Sequence, residues 1–367
     1  MFAPADYAWI NSVISGGPGL VAVGAVSNPT IDEVGGPAVW TSPDGYEWSI
    51  ALLDNSFEDE SQGRLVEPFE MQSVTATESG LYAVGWGGYA GLDPEGGWGV
   101  TSIVWTSPDG TDWTAVPLYQ IPIFSDIVEG GPGLVATGQD EVWTSREGTV
   151  WTRADGPRSS LGDTRSSAGD IGEVTVGGPG LVAVGQSAFG DAAVWTSREG
   201  TTWTRVPHDE TVFGRPGYQT MSSVTVGGPG LVAVGGDRGL AAVWTSPDGS
   251  RWTRIPHDEA AFGGFVPHPD WGPDFDPPMK DVIATDSGLV AVGMQIVGVA
   301  PGSRASGETV GDPLGQATVW TSRDGTTWSR TSYPKSEGTM NSVVEGGPGL
   351  IAVGSYERQA AVWVARP

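Results

Sequence analysis

The chain has no cysteine, two lysines and three histidines, and no run of residues approaches eighteen consecutive apolar positions. Without cysteine, a disulfide-stapled fold and a zinc–thiolate centre are excluded. The opening MFAPADYAWI lacks a basic segment leading into an apolar core, so neither a signal peptide nor a membrane span is visible in this chain. Positive charge is scarce as well: 18 basic residues stand against 44 acidic ones, a formal charge of −26. Such a surface repels phosphate backbones and anionic lipid, which makes nucleic acid, acidic glycans and membrane insertion poor fits. Nothing in the sequence sets an oligomeric state.

What the chain does contain is glycine, proline and tryptophan (57, 28 and 17 residues) arranged as a repeat. In its clearest form the repeat reads MSSVTVGGPGLVAVG over residues 221–235 and AAVWTSPDGSRWTRIP over residues 241–256. The first half has its marker residue at Val13, Val74, Ile127, Val174, Val224, Val282 and Val343, at spacings of 61, 53, 47, 50, 58 and 61. The second half ends a Val-Trp pair at Trp40, Trp105, Trp143, Trp195, Trp244, Trp320 and Trp363, so both halves give seven units. Repetition at this period is read before any local propensity, because it changes every later assignment.

Each unit predicts four short strands. Two runs of small and β-branched residues flank Gly-Gly-Pro-Gly, where proline fixes φ and glycine accepts positive φ, and this predicts a hairpin. In the second and sixth units Glu78-Ser79-Gly80 and Asp286-Ser287-Gly288 make the same turn by other chemistry. A second hairpin joins the Val-Trp strand to a final strand through Ser-Pro-Asp-Gly or Ser-Arg-acid-Gly. Four strands per unit, seven times over, without helical periodicity, predict an all-β fold: a seven-bladed β-propeller with four antiparallel strands per blade. It forms a single domain over residues 1–367, with blades starting near 10, 71, 124, 171, 221, 279 and 340. The last unit stops at AVWVARP, one strand short. Phe2-Ala3-Pro4 precedes the first unit as Arg205-Val206-Pro207 precedes the fifth, so residues 1–4 are expected to complete the last blade and close the ring, leaving no unpaired edge.

At TSPDGYEW (41–48), TSPDGTDW (106–113), TSREGTVW (144–151), TSREGTTW (196–203), TSPDGSRW (245–252) and TSRDGTTW (321–328), the chain resembles the Asp-box or BNR repeat family. That motif, Ser-x-Asp-x-Gly-x-x-Trp, belongs to propellers of sialidases, xyloglucan-degrading glycosidases, sortilin-type receptors and a photosystem II assembly factor. Here it is shifted. With Gly and Trp aligned, Thr takes the Ser position and the acid stands directly before Gly, so an ordinary hairpin turn is expected in place of the family's side-chain-capped one. The resemblance implies a propeller, a secreted or extracellular protein, and no particular activity. A sialidase would need three clustered arginines, a tyrosine–glutamate nucleophile pair and an aspartate; these are not assignable, and Arg254-Ile255-Pro256 recurs as Arg205-Val206-Pro207 and reads as outer strand. His208 and His257 likewise occupy sister segments, PHDETVFG and PHDEAAFG, which favours a structural role.

Function is expected on the face where lengths vary. The two turn types keep nearly constant length, whereas segments 53–70, 86–102, 153–170, 205–220, 254–278 and 294–317 are long and unlike one another. Four tryptophans fall outside the repeat, and Trp86, Trp98 and Trp271 lie in or beside these segments with Tyr89, as candidate flat surfaces for a sugar or a partner side chain. The residue before each marker is polar in all seven units (Ser12, Ser73, Asp126, Glu173, Ser223, Asp281, Ser342), which places Asp126, Glu173 and Asp281 around the channel mouth. Asp270, Asp274 and Asp276 could hold calcium through hard oxygen ligands, although their spacing is not that of an EF-hand loop. No cofactor is otherwise implied. Together these features read as a non-catalytic binding or interaction scaffold for a neutral glycan or a protein, with a glycoside hydrolase or lyase as the alternative.

Overall fold

The computed structural model describes residues 7–28, 33–53, 56–59, 63–91, 98–156, 170–214, 217–264, 277–299 and 313–365. Within them the chain forms a ring of seven antiparallel blades, each running in sequence order from the channel outward. Blade one shows the pattern: Tyr7–Gly16 lines the channel, followed by Gly19–Asn28, Glu33–Ser42 and Ser49–Leu52. Blades six and seven share one strand, Ser329–Gly346, which leaves the outside of blade six and continues as the innermost strand of blade seven. The only helix among the described residues is a single turn, Glu259–Phe262. Blade seven has three strands among the described residues, and residues 1–4, expected to supply its fourth, lie outside them.

The ring closes through blade one. Ala8 N donates to Arg358 O at 2.8 Å, Asn341 Nδ2 to Ile10 O at 2.9 Å, and Ser15 Oγ to Glu345 O at 3.0 Å. Beneath these bonds Ile10, Leu20 and Trp40 pack against Ile351 and Val353 of blade seven.

Both turn types lie on one face and touch between blades. A Cβ added to Gly17, whose φ is +54°, would stand 2.6 Å from Asp109 O in the next blade's second turn. Only glycine tolerates both the conformation and the approach. The second turn is not the ordinary hairpin turn expected from the shifted motif, because its own side chains cap it. Ser42 Oγ accepts from Gly45 N at 2.8 Å, Asp44 Oδ1 accepts from Tyr46 N and Glu47 N at 2.9 and 3.0 Å, and Trp48 Nε1 donates to Gly45 O. The same set recurs around Asp109, Asp248 and Asp324. The Thr111 hydroxyl and then its backbone N–H at Asp109, and the backbone N–H bonds at the other three, hold the four carboxyls below the usual range, Asp324 at about 2. Glu147 and Glu199 keep the serine and tryptophan bonds.

The core is divided among the seven blade interfaces. Six of them bury or half-bury two tryptophans each, one from a Val-Trp strand and one from a capped turn, as with Trp244 and Trp252 between blades four and five. The PHDE segments contribute to these interfaces. Phe213 and Phe262 are buried, and the carbonyls of Val212 and Ala261 accept from Trp244 Nε1 and Trp320 Nε1.

Among the described residues, three segments expected as long loops, 53–70, 86–102 and 294–317, contribute strand. Arg64–Thr77, Gly80–Gly91 and Trp98–Ser107 extend blade two well past its neighbours, and Phe57–Asp59 adds a fifth strand. Segment 294–317 does the same in blade six through Gly288–Val299 and Pro313–Ser322.

Candidate functional site: the channel

At its marker residue each inner strand is a sheet edge among the described residues, so every second N–H there points into the channel with no sheet partner. An unpaired buried amide costs about 1–3 kcal/mol, and seven of them converge on one axis. The sequence answers with a polar residue before each marker, which reaches across to the next blade. Ser342 Oγ accepts from Val13 N (3.4 Å), Ser12 Oγ from Val74 N (3.4 Å), Asp126 Oδ2 from Val174 N (3.0 Å), Glu173 Oε1 from Val224 N (3.5 Å), Ser223 Oγ from Val282 N (3.1 Å) and Asp281 Oδ2 from Val343 N (2.8 Å). At the remaining step Ser73 Oγ donates to Asp126 Oδ1 at 2.7 Å. A register shift just before this residue recurs in six of the seven inner strands, and the bulged residue also points inward.

Residues of all seven blades line a channel cavity of 370 Å³, with Asp126, Glu173 and Asp281 together on its wall. Burial pushes all three carboxyls up. The charges of Asp281 and Asp126 add to burial at Glu173, which is raised furthest, well above the ordinary glutamate range. Asp126 and Asp281 are partly compensated by the amides and hydroxyls they accept from. Like charges on one wall thus favour a partly protonated set. Among the described residues, no three His, Cys, Asp or Glu side chains are close enough to hold one metal ion.

The aromatic candidates separate. Trp86 stands at the channel side: its Nε1 donates to Glu70 Oε2 (3.2 Å), and Glu70 Oε1 accepts from Trp9 Nε1 (2.6 Å) and from Asn11 Nδ2 (2.7 Å), a channel-lining residue. Phe69 meets the Trp86 ring edge-on at 5.1 Å. Tyr89, three residues along the same strand, points to the opposite face and packs into the interface of blades one and two, where Arg64 lies 4.4 Å from both the Tyr89 and Tyr119 rings. The two therefore do not form one platform. The Trp98 backbone lies in its strand, while its side chain, together with Trp271, Asp270, Asp274 and Asp276, lies outside the described residues. Glu70, Trp9 and Asn11 were not singled out from the sequence. The usable signal was Trp9, a tryptophan outside the repeat yet three residues from a channel position.

Arg254 also has a settled place. Its Nη2 bonds Asp237 Oδ2 at 2.6 Å in a buried pair, with Gln219 Nε2 on the other oxygen at 2.9 Å. Burial opposes the Asp237 charge, but Gln219 and Arg254 outweigh it and hold the carboxyl below its usual range.

No family model and no curated protein sequence matches the chain. Among solved structures it is similar to a glycosyl hydrolase from Bacteroides ovatus, with 14% identity over 98% of this chain and 84% of that one and a TM-score of 0.36. It is similar to a thermostable family-43 glycoside hydrolase at 14% identity over 74% and 99%, TM-score 0.29. A β-1,2-mannobiose phosphorylase from Listeria innocua, in complex with β-1,2-mannobiose, aligns at 10% identity over 83% and 91%, TM-score 0.31. The chain is a seven-bladed β-propeller whose neighbours among solved structures include two glycoside hydrolases and a phosphorylase, at 10 to 14% identity.

Proposed function

We propose that the protein is a non-catalytic binding scaffold of Asp-box kinship that engages a neutral glycan or a protein at the loop-side mouth of its channel, beside Trp86. The observation that carries this reading is the state of the channel carboxylates. Both oxygens of Asp126 and both of Asp281 already accept from Ser73, Val174, Ser223, Val282 and Val343, so they tie blades together. A nucleophile or a proton-transferring group needs an oxygen turned toward substrate. The Asp44-type capped turns support the kinship, and the charge of −26 favours neutral ligands over anionic ones.

A glycoside hydrolase is the second reading, favoured by Glu173. Its carboxyl is raised well above the ordinary range beside two others, and divergent carboxyls in one site are the pattern of acid–base chemistry. A neutral and acidic glycan array beside a broad glycosidase panel tests both. The scaffold reading expects retention of neutral glycans, or capture of a protein ligand, that weakens roughly tenfold in Trp86→Ala, with no turnover. Turnover that disappears in Glu173→Gln would overturn it.

A further inference from the structure

A second aromatic surface stands on the rim of the mouth, away from Trp86. Phe189 lies in the turn between Gly180–Gln186 and Ala192–Ser197 of blade four, and Tyr218 stands immediately before Gln219–Gly227, the innermost strand of blade five. Both face solvent, at 69% and 41% exposure. Large rings left in water are informative when the fold holds them there. Here the backbone does so. Ser187 N donates to Asp191 O at 2.7 Å and Gly190 N to Ser187 O at 2.9 Å, while Ser187 Oγ accepts from Phe189 N and Asp191 N at 3.3 and 3.2 Å. The turn that carries Phe189 is therefore closed by its own hydrogen bonds.

Tyr218 is fixed against that turn. Gly190 has a φ of +85°, and a Cβ added to it would stand 2.6 Å from Tyr218 Cδ1, so the ring lies on the glycine with no room for a side chain between them. Gln219 N donates to Gly190 O at 2.8 Å and Arg238 N to Tyr218 O at 2.9 Å, which ties the rim of blade five to blade four and to its own two-residue turn. Arg238 holds that turn at a φ of +52°, a conformation uncommon outside glycine. The first aromatic surface is held by different chemistry: Glu70 accepts from both the Trp9 and Trp86 indoles, and both rings are half-buried. Trp9 and Trp86 belong to blades one and two, Phe189 and Tyr218 to blades four and five, so the two surfaces flank the mouth from across the ring. Between them, residues one step before the polar ring, Asn11, Gln72, Ser125, Ser222 and Asn341, line the cavity with amides and hydroxyls that carry no charge.

We propose that Tyr218 and Phe189 form a second aromatic subsite and that the ligand of the mouth is a neutral oligosaccharide lying across it, from Trp86 to Tyr218. This rests on the glycan reading of the mouth and narrows it from any neutral glycan to a chain of several sugars. A pyranose presents an apolar C–H face, which presses on an aromatic ring, and a rim of hydroxyls, which needs donors and acceptors beside it. Two fixed aromatic surfaces separated by uncharged amides and hydroxyls match a row of such rings. A protein partner is matched less well, because its strongest contacts cluster at the centre of one desolvated patch, and here the polar mouth divides the aromatic groups. Both surfaces are fixed before binding, so little ordering is needed, and two contacts on one chain act as linked sites.

The test uses the full 367-residue chain and isothermal titration with malto-, cello-, xylo- and manno-oligosaccharides, each from the disaccharide to the hexasaccharide. In the series that binds, affinity is expected to rise roughly tenfold or more with chain length, as the second surface is reached. Tyr218→Ala and Trp86→Ala should each remove that gain, and Tyr218→Phe, which keeps the ring, should retain it. Phe189→Ala, at a residue already facing solvent, serves in place of Tyr218→Ala should the latter misfold, and its melting midpoint should match the wild type. Affinity independent of chain length, or a gain that survives Tyr218→Ala while Trp86→Ala still weakens binding, would overturn the second subsite and leave the function proposed above standing. Binding to none of the four series would overturn the glycan reading of the mouth, and this inference with it.

Discussion

Trp244→Ala and Trp363→Ala occupy equivalent repeat positions and should have unequal costs. Trp244 is fully buried between blades four and five, donates to Val212 O at 2.8 Å, and lies 5.5 Å beneath the Arg254 guanidinium. An indole buries about 200 Å², which at about 25 cal/mol per Å² gives about 5 kcal/mol. Measured large-to-small losses for buried aromatics, about 3–5 kcal/mol, agree. Truncation also leaves the Val212 carbonyl without its donor, so the upper end, about 5 kcal/mol, is expected. Trp363 is half-buried at the interface with the smallest buried cluster, so about half that loss, roughly 2.5 kcal/mol, is expected there. Urea titrations of both variants decide it, read as midpoint shifts at unchanged slope. Equal losses would refute the reading that burial sets the cost at these two equivalent positions.

Glu173→Gln keeps an acceptor for Val224 N and removes one of three like charges. The folded-state pKa of Glu173 is raised, so the wild type loses stability as pH climbs from the unfolded pKa through the folded one; the variant should melt higher than wild type at pH 8 and alike at pH 4. A shift of equal size at both pH values would show that charge is not the cause. Melts in sodium chloride, magnesium and calcium at matched ionic strength should give one gradual screening response from the −26 charge; a sharper calcium shift would instead mark Asp270, Asp274 and Asp276 as a metal site. Deleting Met1 to Pro4 should lower the melting midpoint by taking the partner strand from blade seven, and an unchanged midpoint would remove that reading of the ring closure.

Blade count, hairpin order and the polar channel ring were all legible in the sequence, because each is enforced six or seven times by one physical need. Asp126 and Asp281 can be placed from the sequence because an edge strand must satisfy its inward amides. The capped turn was misread because aligning Gly45 and Trp48 with the family motif hid the contacts that matter. Those run from Ser42 to Gly45 N and from Asp44 to the two following amides, a geometry that a one-residue shift of both side chains preserves. The Trp86–Glu70–Asn11 arrangement was not legible, since it depends on two strands running past the blade and on the register shifts at Pro68/Glu70 and Met71/Ser73. Segment length had suggested loops there. Alternation along Gly80–Gly91 then sends Tyr89 away from Trp86, which proximity in sequence concealed.

The two departures from Gly-Gly-Pro-Gly show how a repeat records its surroundings. In the standard turn the second glycine faces the next blade's acid-Gly turn, as Gly131 faces Glu199 O and Gly228 faces Asp324 O. Glu78 and Asp286 take that place in blades two and six without a positive φ. Thr77 and Thr285 then tie the turns instead, each donating through Oγ1 to the glycine carbonyl three residues on, at 3.0 Å. In blade two the next turn is met by the Tyr82 ring, which lies against Gly148 with its hydroxyl 3.3 Å from Ser79 Oγ, so glycine is no longer required opposite it. In blade six the described residues place no capped turn opposite. A side chain stands in place of glycine in blade two, where the Tyr82 ring meets the next turn, and in blade six, where no capped turn lies opposite among the described residues. In the standard turns glycine is required because a neighbouring carbonyl lies too close for a side chain, as Asp109 O would lie 2.6 Å from a Cβ on Gly17.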